Sequence, residues 1–370
     1  MHSRRWLVVT LVVLATVFAY VSILALWANR QFLNTDNWVK TSSELLQKES
    51  VRNQVSGFVV DQLYAHVDVR AEIANALPPA AKPLAGPAAG GLRNAFQKGI
   101  DQLLQRPRVQ VLWEKANRVS HQLLLRAIEG GGKRVSTTGG VVTLNLGAIV
   151  AGVASRLGLG NVAAKIPPGS AQITILRSKQ LDAIQNLLQA LRGVTVIVVL
   201  LTLVLLAVAV AVARDRKREA LRMAGFGLIV AGILALLTRY FLGSSVVDSL
   251  SSTAAVRSAV ADTWTVATSF LVQAAASCIA YGVVVVLAAW LAGPTKRATS
   301  VRRFLTPYLD DARIAYGALL AVLLLLVVWA PTPAVRKPLG LLILALVLGI
   351  GVEMLRRQTR RERAATQNPA

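Results

Sequence analysis

The chain has 370 residues, of which 54% are hydrophobic and only 16% are charged. Soluble proteins carry about 25% charged residues, so this composition excludes an ordinary soluble domain and is typical of a membrane protein. The net charge of +23 would suggest nucleic acid in a soluble chain. In a membrane chain the same excess orients the spans and meets anionic lipid headgroups, so no nucleic-acid partner is expected.

Six apolar runs are long enough to cross about 30 Å of hydrocarbon as helices. They cover residues 6–28, 194–213, 224–242, 266–292, 314–330 and 339–355. The first run is longer than the apolar region of a signal peptide, and no small-residue cleavage site follows it, so it is predicted to be an uncleaved signal anchor. The sequence therefore predicts an all-α membrane protein with a six-helix transmembrane bundle.

Basic residues are concentrated at four places in this arrangement. They are Arg4-Arg5, 214–219, 296–303 and 356–361. With six spans all four fall on one side, and the positive-inside rule makes that side the cytoplasm. We therefore expect a multi-pass protein of the cell membrane with both termini cytoplasmic. Its predicted parts are a signal-anchor span (1–28), an extracytoplasmic domain (29–193), a five-span bundle (194–355) and a basic cytoplasmic tail (356–370).

The extracytoplasmic domain is predicted to be α-dominated with a small β-hairpin or sheet. Thr35 or Asp36 is expected to cap its first helix. Further helices are predicted over 49–65, 69–77, 92–104, 107–128 and 149–157, with a turn-rich connection over 78–91. In the helix over 49–65, Val51, Val55, Phe58, Val59 and Leu63 share one face. A hairpin of 133–137 with 141–146 and a third strand over 171–176 complete it.

One long helix is predicted over 179–213, because no proline separates the apolar stripe of 181–191 from the second span. At 1.5 Å per residue it would be about 50 Å long. Such a helix would connect the extracytoplasmic domain directly to the bundle.

Two groups of polar residues are candidates for function. In the fourth span Thr265, Ser269, Gln273 and Ser277 recur every four residues, so they share a face that would line a solvated path or bond neighbouring helices. In the outer domain a small cleft is conceivable on one helix face, with a favourable i,i+4 pair of Glu114 with Arg118. The residues of that face are Trp113, Glu114, Asn117, Arg118 and His121.

Nothing in the sequence matches a nucleotide-binding, metalloprotease, nucleophile-elbow or CxxC motif, so no catalytic residue, metal or cofactor is predicted. Four segments resemble an uncharacterised family of integral membrane proteins of high-GC actinobacteria. They are Thr35-Asp36-Asn37-Trp38-Val39, the LWEKANRVSH segment (112–121), the LAGPT segment (291–295) and the GVEMLRRQT segment (351–359). The resemblance implies the same span pattern and carries over no functional residue.

Three functions remain open on this reading. The first is a non-enzymatic envelope protein whose outer domain binds an envelope protein or a lipid ligand. The second is a transporter or channel component that uses the polar face of the fourth span. The third is a membrane sensor coupled through the 179–213 helix. The oligomeric state is left open.

Overall fold

The structure is a computed structural model that describes residues 2–128, 141–145, 172–213 and 216–329, and the positions 342, 345, 349, 352, 353 and 356. These residues are overwhelmingly helical, which confirms the predicted all-α class. Four helices are long and apolar enough to cross a membrane, namely those over Arg5–Phe32, Gly193–Val212, Lys217–Leu250 and Ser269–Leu291. The first and third predicted spans fall within these helices, the second does so except for residue 213, and the fourth does so except for residues 266–268 and 292. The fifth predicted span, 314–330, is not among these four helices. The sixth run, 339–355, lies almost wholly outside the described residues.

Six α-helices lie within residues 2–128. They are α1 (His2–Phe32), α2 (Thr35–Leu46), α3 (Glu49–His66), α4 (Val69–Ala76), α5 (Ala85–Leu104) and α6 (Pro107–Ile128), with a 3₁₀ helix at Pro79–Leu84 between α4 and α5. Pro107 occupies the first turn of α6, where its missing N–H costs nothing. The cap of α2 is Asn34, whose side chain accepts the backbone N–H of Asn37 at 3.0 Å. The predicted cap, Thr35 or Asp36, was therefore wrong: the true cap lies one residue before Thr35 and two before Asp36.

The predicted turn-rich connection over 78–91 is also wrong in its second half, because α5 already begins at Ala85. Ala85 and Ala89 are buried, and the Tyr64 hydroxyl donates to the carbonyl oxygen of Ala89 at 2.9 Å. Small residues at these positions let α5 approach α3 closely. Tertiary packing therefore outweighs the low helix propensity of the glycines.

Two strands follow, β1 (Val141–Asn145) and β2 (Gln172–Arg177), paired antiparallel with Val141 opposite Arg177 and Asn145 opposite Gln172. The predicted partner of β1, residues 133–137, lies outside the described residues, as does the helix predicted over 149–157. The predicted third strand is therefore the one that pairs with β1.

The second half contains α7 (Ser178–Val212), α8 (Lys217–Leu250), α9 (Ala254–Ala267), α10 (Ser269–Leu291), α11 (Lys296–Asp310) and α12 (Ala312–Trp329). As predicted, α7 is one uninterrupted helix that begins directly after β2. The loop expected between the third and fourth spans is mostly helical, because α8 continues to Leu250 and α9 follows it.

The chain divides into two compact units. The bundle unit comprises residues 1–27, 194–240 and 269–370, and the helical domain comprises 28–193 together with 241–268. The helical domain thus contains the predicted domain of 29–193 and, in addition, all of α9.

The core of the bundle unit is built from small residues. Its buried cluster comprises Ala19, Ile23, Ala231, Ala235, Leu271 and Ala275. Between α8 and α10 the seam is glycine-rich: a Cβ on Gly282 would lie 2.6 Å from the carbonyl oxygen of Gly225, and one on Gly232 would lie 2.7 Å from that of Ala275. Such close backbone approach is how membrane helices gain dispersion contacts.

Polar side chains add hydrogen bonds between the helices of the bundle unit. Ser22 and Thr202 are both buried and their hydroxyl oxygens lie 3.2 Å apart, while the hydroxyls of Tyr20 and Thr238 lie 2.8 Å apart. Near the chain's end, Arg356 pairs with Glu353 at 3.3 Å, as expected from their spacing. The Tyr316 hydroxyl of α12 donates to the same carboxylate at 3.2 Å.

Candidate functional site

Four of the five candidate residues of α6 contact α2, within the helical domain. The Trp113 indole N–H donates to the Ser42 hydroxyl at 2.7 Å. Ser43 donates to the Glu114 carboxylate at 3.2 Å, and the Arg118 guanidinium donates to Asp36 at 2.5 Å. Glu114 and Arg118 therefore reach across to α2 rather than pairing with each other as predicted.

His121 is the most enclosed member of this group, with 3% of its surface exposed. Its ring stacks on Trp38 with the centroids 4.9 Å apart. Its Nε2 lies 3.2 Å from the carbonyl oxygen of Phe32, and its Nδ1 lies 3.1 Å from the Thr35 hydroxyl. A carbonyl can only accept, so Nε2 carries the proton and the neutral Nδ1 accepts from Thr35.

The electrostatics of the site follow from this enclosure. Burial lowers the pKa of His121 below its ordinary value of 6.5, and the hydrogen bond to the Phe32 carbonyl opposes part of that effect. The pair of Arg118 with Asp36 is more open, with 44% and 79% of the side chains exposed. An ion pair so exposed contributes about 0.2–1 kcal/mol.

The arrangement is a polar network that fastens α6 to α2, and it offers little to a substrate. Asn117 is also engaged, donating to the Trp113 carbonyl at 2.9 Å. Both imidazole nitrogens have partners, so His121 holds no free lone pair for a metal or for proton transfer. Among the residues that the structure describes, no group of three His, Cys, Asp or Glu side chains could hold a metal ion.

The second candidate, the polar row of the fourth span, does not lie on one helix. Thr268 ends α9, so Thr265 belongs to α9 in the helical domain, whereas Ser269, Gln273 and Ser277 belong to α10. Ser269 and Gln273 are exposed, and Ser277 donates to the Gln273 carbonyl of its own helix at 2.7 Å. The buried face of α10 comprises Leu271, Ala275, Gly282 and Ala289. The polar face is thus turned away from the packed core.

Sequence reasoning missed the contribution of α9. Asp262 accepts a hydrogen bond from Ser50 of α3, and Asp248 pairs with Arg257 at 2.7 Å. Gly243 lies against the Trp264 ring, where a Cβ would be 2.5 Å from the indole nitrogen. The one available signal was the polar and aromatic content of 241–268, which is high for a loop between spans.

Comparison of the chain with known protein families, with curated proteins and with solved structures finds no match. Function is therefore argued from the chain's own residues.

A pH dependence follows from the enclosure of His121. Because its pKa is lowered in the folded state, the unfolded chain takes up the proton first as the pH falls below about 6.5. The α2–α6 contact is therefore expected to lose stability between pH 7.5 and pH 5. Hydrogen exchange of the α6 amides is measured by mass spectrometry on the whole protein and compared with the intrinsic rate at each pH, because the intrinsic rate itself slows as the pH falls. The resulting protection of the α6 amides should decrease over that interval.

The controls for this prediction are two histidine variants. His121→Phe keeps an aromatic ring beside Trp38 but cannot titrate, so it should exchange faster at pH 7.5 and lose the pH dependence. His66→Gln should retain the wild-type dependence. If His121→Phe responds to pH as the wild type does, another group is responsible.

Proposed function

We propose that the chain is an integral cell-membrane protein with a non-enzymatic interaction domain outside the cytoplasm, serving the cell envelope. In this proposal it crosses the bilayer six times, both termini are cytoplasmic, and residues 29–193 are extracytoplasmic together with 241–268. The four apolar helices support the membrane location. The four basic clusters support the orientation.

The observation that carries the interaction role is the apolar face of α3. The sequence placed Phe58, Val59 and Leu63 on one face, and in the helical domain these side chains are 62%, 44% and 42% exposed. α3 packs through an adjoining face, where Ser56 and Val60 are buried. A helix that turns a run of apolar side chains outward is typical of an interaction surface.

Neighbouring α5 extends the same character, since Leu92, Phe96 and Leu103 are also exposed. The charged side chains of α3 and α5 pair with each other: Arg52 bonds Asp101 at 2.9 Å, and Arg93 pairs with Asp61. The ligand that suits apolar side chains on α3 and α5 is itself apolar, an envelope protein with a matching face or the acyl part of a lipid.

The experiment that tests this role uses single cysteines in a Cys278→Ser background. One variant is Phe58→Cys on the apolar face, and the other is Lys115→Cys at an exposed position of α6. Both are treated in intact cells with a membrane-impermeant maleimide that carries a benzophenone. After irradiation, Phe58→Cys should give a discrete cross-linked species and Lys115→Cys should not. Equal yields from both sites, or none from Phe58→Cys, would count against an interaction surface on α3.

The same variants test the orientation when Arg297→Cys is added. Arg297 is exposed at the start of α11 and belongs to a cluster assigned to the cytoplasm. We expect the impermeant reagent to label Phe58→Cys and Lys115→Cys in intact cells, and Arg297→Cys only after permeabilisation. The reverse pattern would invert the topology and refute an extracytoplasmic domain.

A sensor is the second candidate, and α7 is the observation that favours it. One helix runs from Ser178 to Val212 directly after β2, so an event at the sheet has a covalent helical connection to the second predicted span. The transporter alternative has less support, because the polar residues of α10 are exposed or bonded to their own helix. A sensor predicts that ligand binding changes the distance between probes on α7 and α12, whereas a simple anchor predicts no change.

A further inference from the structure

Helix α11 is fastened to the end of a membrane-crossing helix. α10 ends at Leu291 and α11 begins at Lys296, after Thr295, whose hydroxyl accepts the backbone N–H of Ala298 at 3.3 Å. Arg302 reaches back from α11 and donates to the carbonyl oxygens of Leu291 and of Gly293, the latter at 2.7 Å. These contacts hold the start of α11 beside the C-terminal end of α10. With α10 as a membrane span, α11 would lie at the level of the headgroups.

The side chains of α11 divide into three faces. Ala298 and Arg302, with 0% and 2% of their surface exposed, form the face packed on the protein. A second face, about 100° away, exposes Val301 and Phe304, the latter by 72%. The third exposes Lys296, Ser300 and Arg303, and Arg297 lies beside Phe304 at helical spacing.

This distribution matches a membrane surface better than water. Phe304 projects its ring from a helix that carries four cations over 296–303 and no acidic residue before Asp310. At the headgroup boundary a ring that is 72% exposed can enter the acyl region while the cations meet phosphates.

We propose that α11 is an interfacial helix that binds anionic phospholipid headgroups through Lys296, Arg297 and Arg303 while Phe304 inserts beside the acyl chains. The partner is the lipid leaflet into which α10 emerges, whichever face of the membrane that is. The inference therefore does not depend on the proposed interaction domain.

The first test measures the depth of Phe304 in vesicles. The full chain carrying Cys278→Ser and Phe304→Cys is labelled at residue 304 with an environment-sensitive fluorophore. It is reconstituted in vesicles of phosphatidylcholine with about 30% phosphatidylglycerol, which gives the membrane an anionic surface. Lipids with a doxyl quencher in the upper part of the acyl chain should quench this probe strongly. A matched probe at Ser300→Cys, among the cations, should be quenched at least twofold less. Equal and weak quenching at both sites would place Phe304 in water, available to a protein partner, and would overturn the proposal.

The second test measures lipid selectivity with spin-labelled lipids. Wild-type protein should associate with phosphatidylglycerol severalfold more strongly than with phosphatidylcholine. The triple variant Lys296→Gln/Arg297→Gln/Arg303→Gln should lose at least half of that preference. A control removing the same charge from exposed residues of the helical domain, Arg106→Gln/Arg108→Gln/Lys115→Gln, should keep it. An equal loss in both variants would show a general charge effect and refute a site on α11. If the triple variant does not fold, the depth measurement alone decides.

Discussion

Replacing Gly282 by leucine is expected to prevent the bundle unit from folding. A Cβ at this position would lie 2.6 Å from the Gly225 carbonyl oxygen and 2.7 and 3.0 Å from the Cγ1 and N of Ile229. Two of these three atoms are backbone, so they cannot turn aside as a flexible side chain would. The helices must separate, and the neighbouring contact of Gly232 with Ala275 on the same seam is then lost as well.

The smaller change Gly282→Ala gives a graded measurement. We expect a loss of about 1–3 kcal/mol, the usual cost of overpacking a close contact. The control is Gly317→Ala on α12, where none of the residues that the structure describes lies within 4 Å of the added Cβ. Alanine there should stabilise by about 0.5–1 kcal/mol, because it is the better helix former. Stability is measured as the fraction of protein that stays monodisperse after heating in detergent. A loss of stability for Gly282→Ala with a gain for Gly317→Ala would confirm the close seam. Equal shifts for the two variants would mean that α8 and α10 do not approach this closely.

The second large effect is expected at Arg302. This arginine is 2% exposed and supplies both charge and N–H donors to the carbonyls that end α10. A cation at a helix C-terminus also complements the helix dipole. Arg302→Met keeps much of the packing volume but leaves those carbonyls without their donor, which should cost about 3 kcal/mol, the upper range for hydrogen bonds to a charged group.

The matched control for Arg302 is its neighbour. Arg303→Met changes the same residue type one position away on an exposed face, and its stability in detergent should stay within about 0.5 kcal/mol of wild type. Arg302→Lys should recover only part of the loss, because an ammonium lacks the planar fork that reaches two carbonyls. If Arg302→Met and Arg303→Met have the same melting temperature in detergent, the capping role of Arg302 is wrong.

The apolar helices were the part of the fold most open to prediction, for a physical reason. Crossing hydrocarbon requires about 20 consecutive apolar residues, and consecutive residues are what a sequence displays. The start of α6 was equally accessible, since proline is favoured in the first turn of a helix and the apolar spacing continues from Pro107. The start of α5 was missed because Ala85 and Ala89 are stabilised by contacts with α3, which sequence spacing does not reveal.

The candidate site shows the same division. Periodicity correctly placed Trp113, Arg118 and His121 on one face of α6, but it could not identify what that face meets. Their partners in α2 are 71 to 86 positions away along the chain. The prediction of one polar row was wrong because α9 ends at Thr268, which separates Thr265 from Ser269. No proline or glycine marks this break in the sequence.

The helical domain is completed by a segment made long after the rest of it. Ser50 and Asp262, which bond each other, are separated by 212 positions, and the apolar helices α7 and α8 are synthesised between them. At about 5–20 residues per second, roughly 10–40 s pass between the two on the ribosome. During that interval the surfaces of α2 and α3 that receive α9 have no partner. The nascent protein therefore has a waiting stage, and the yield of correctly assembled domain depends on insertion of α7 and α8 keeping pace with translation.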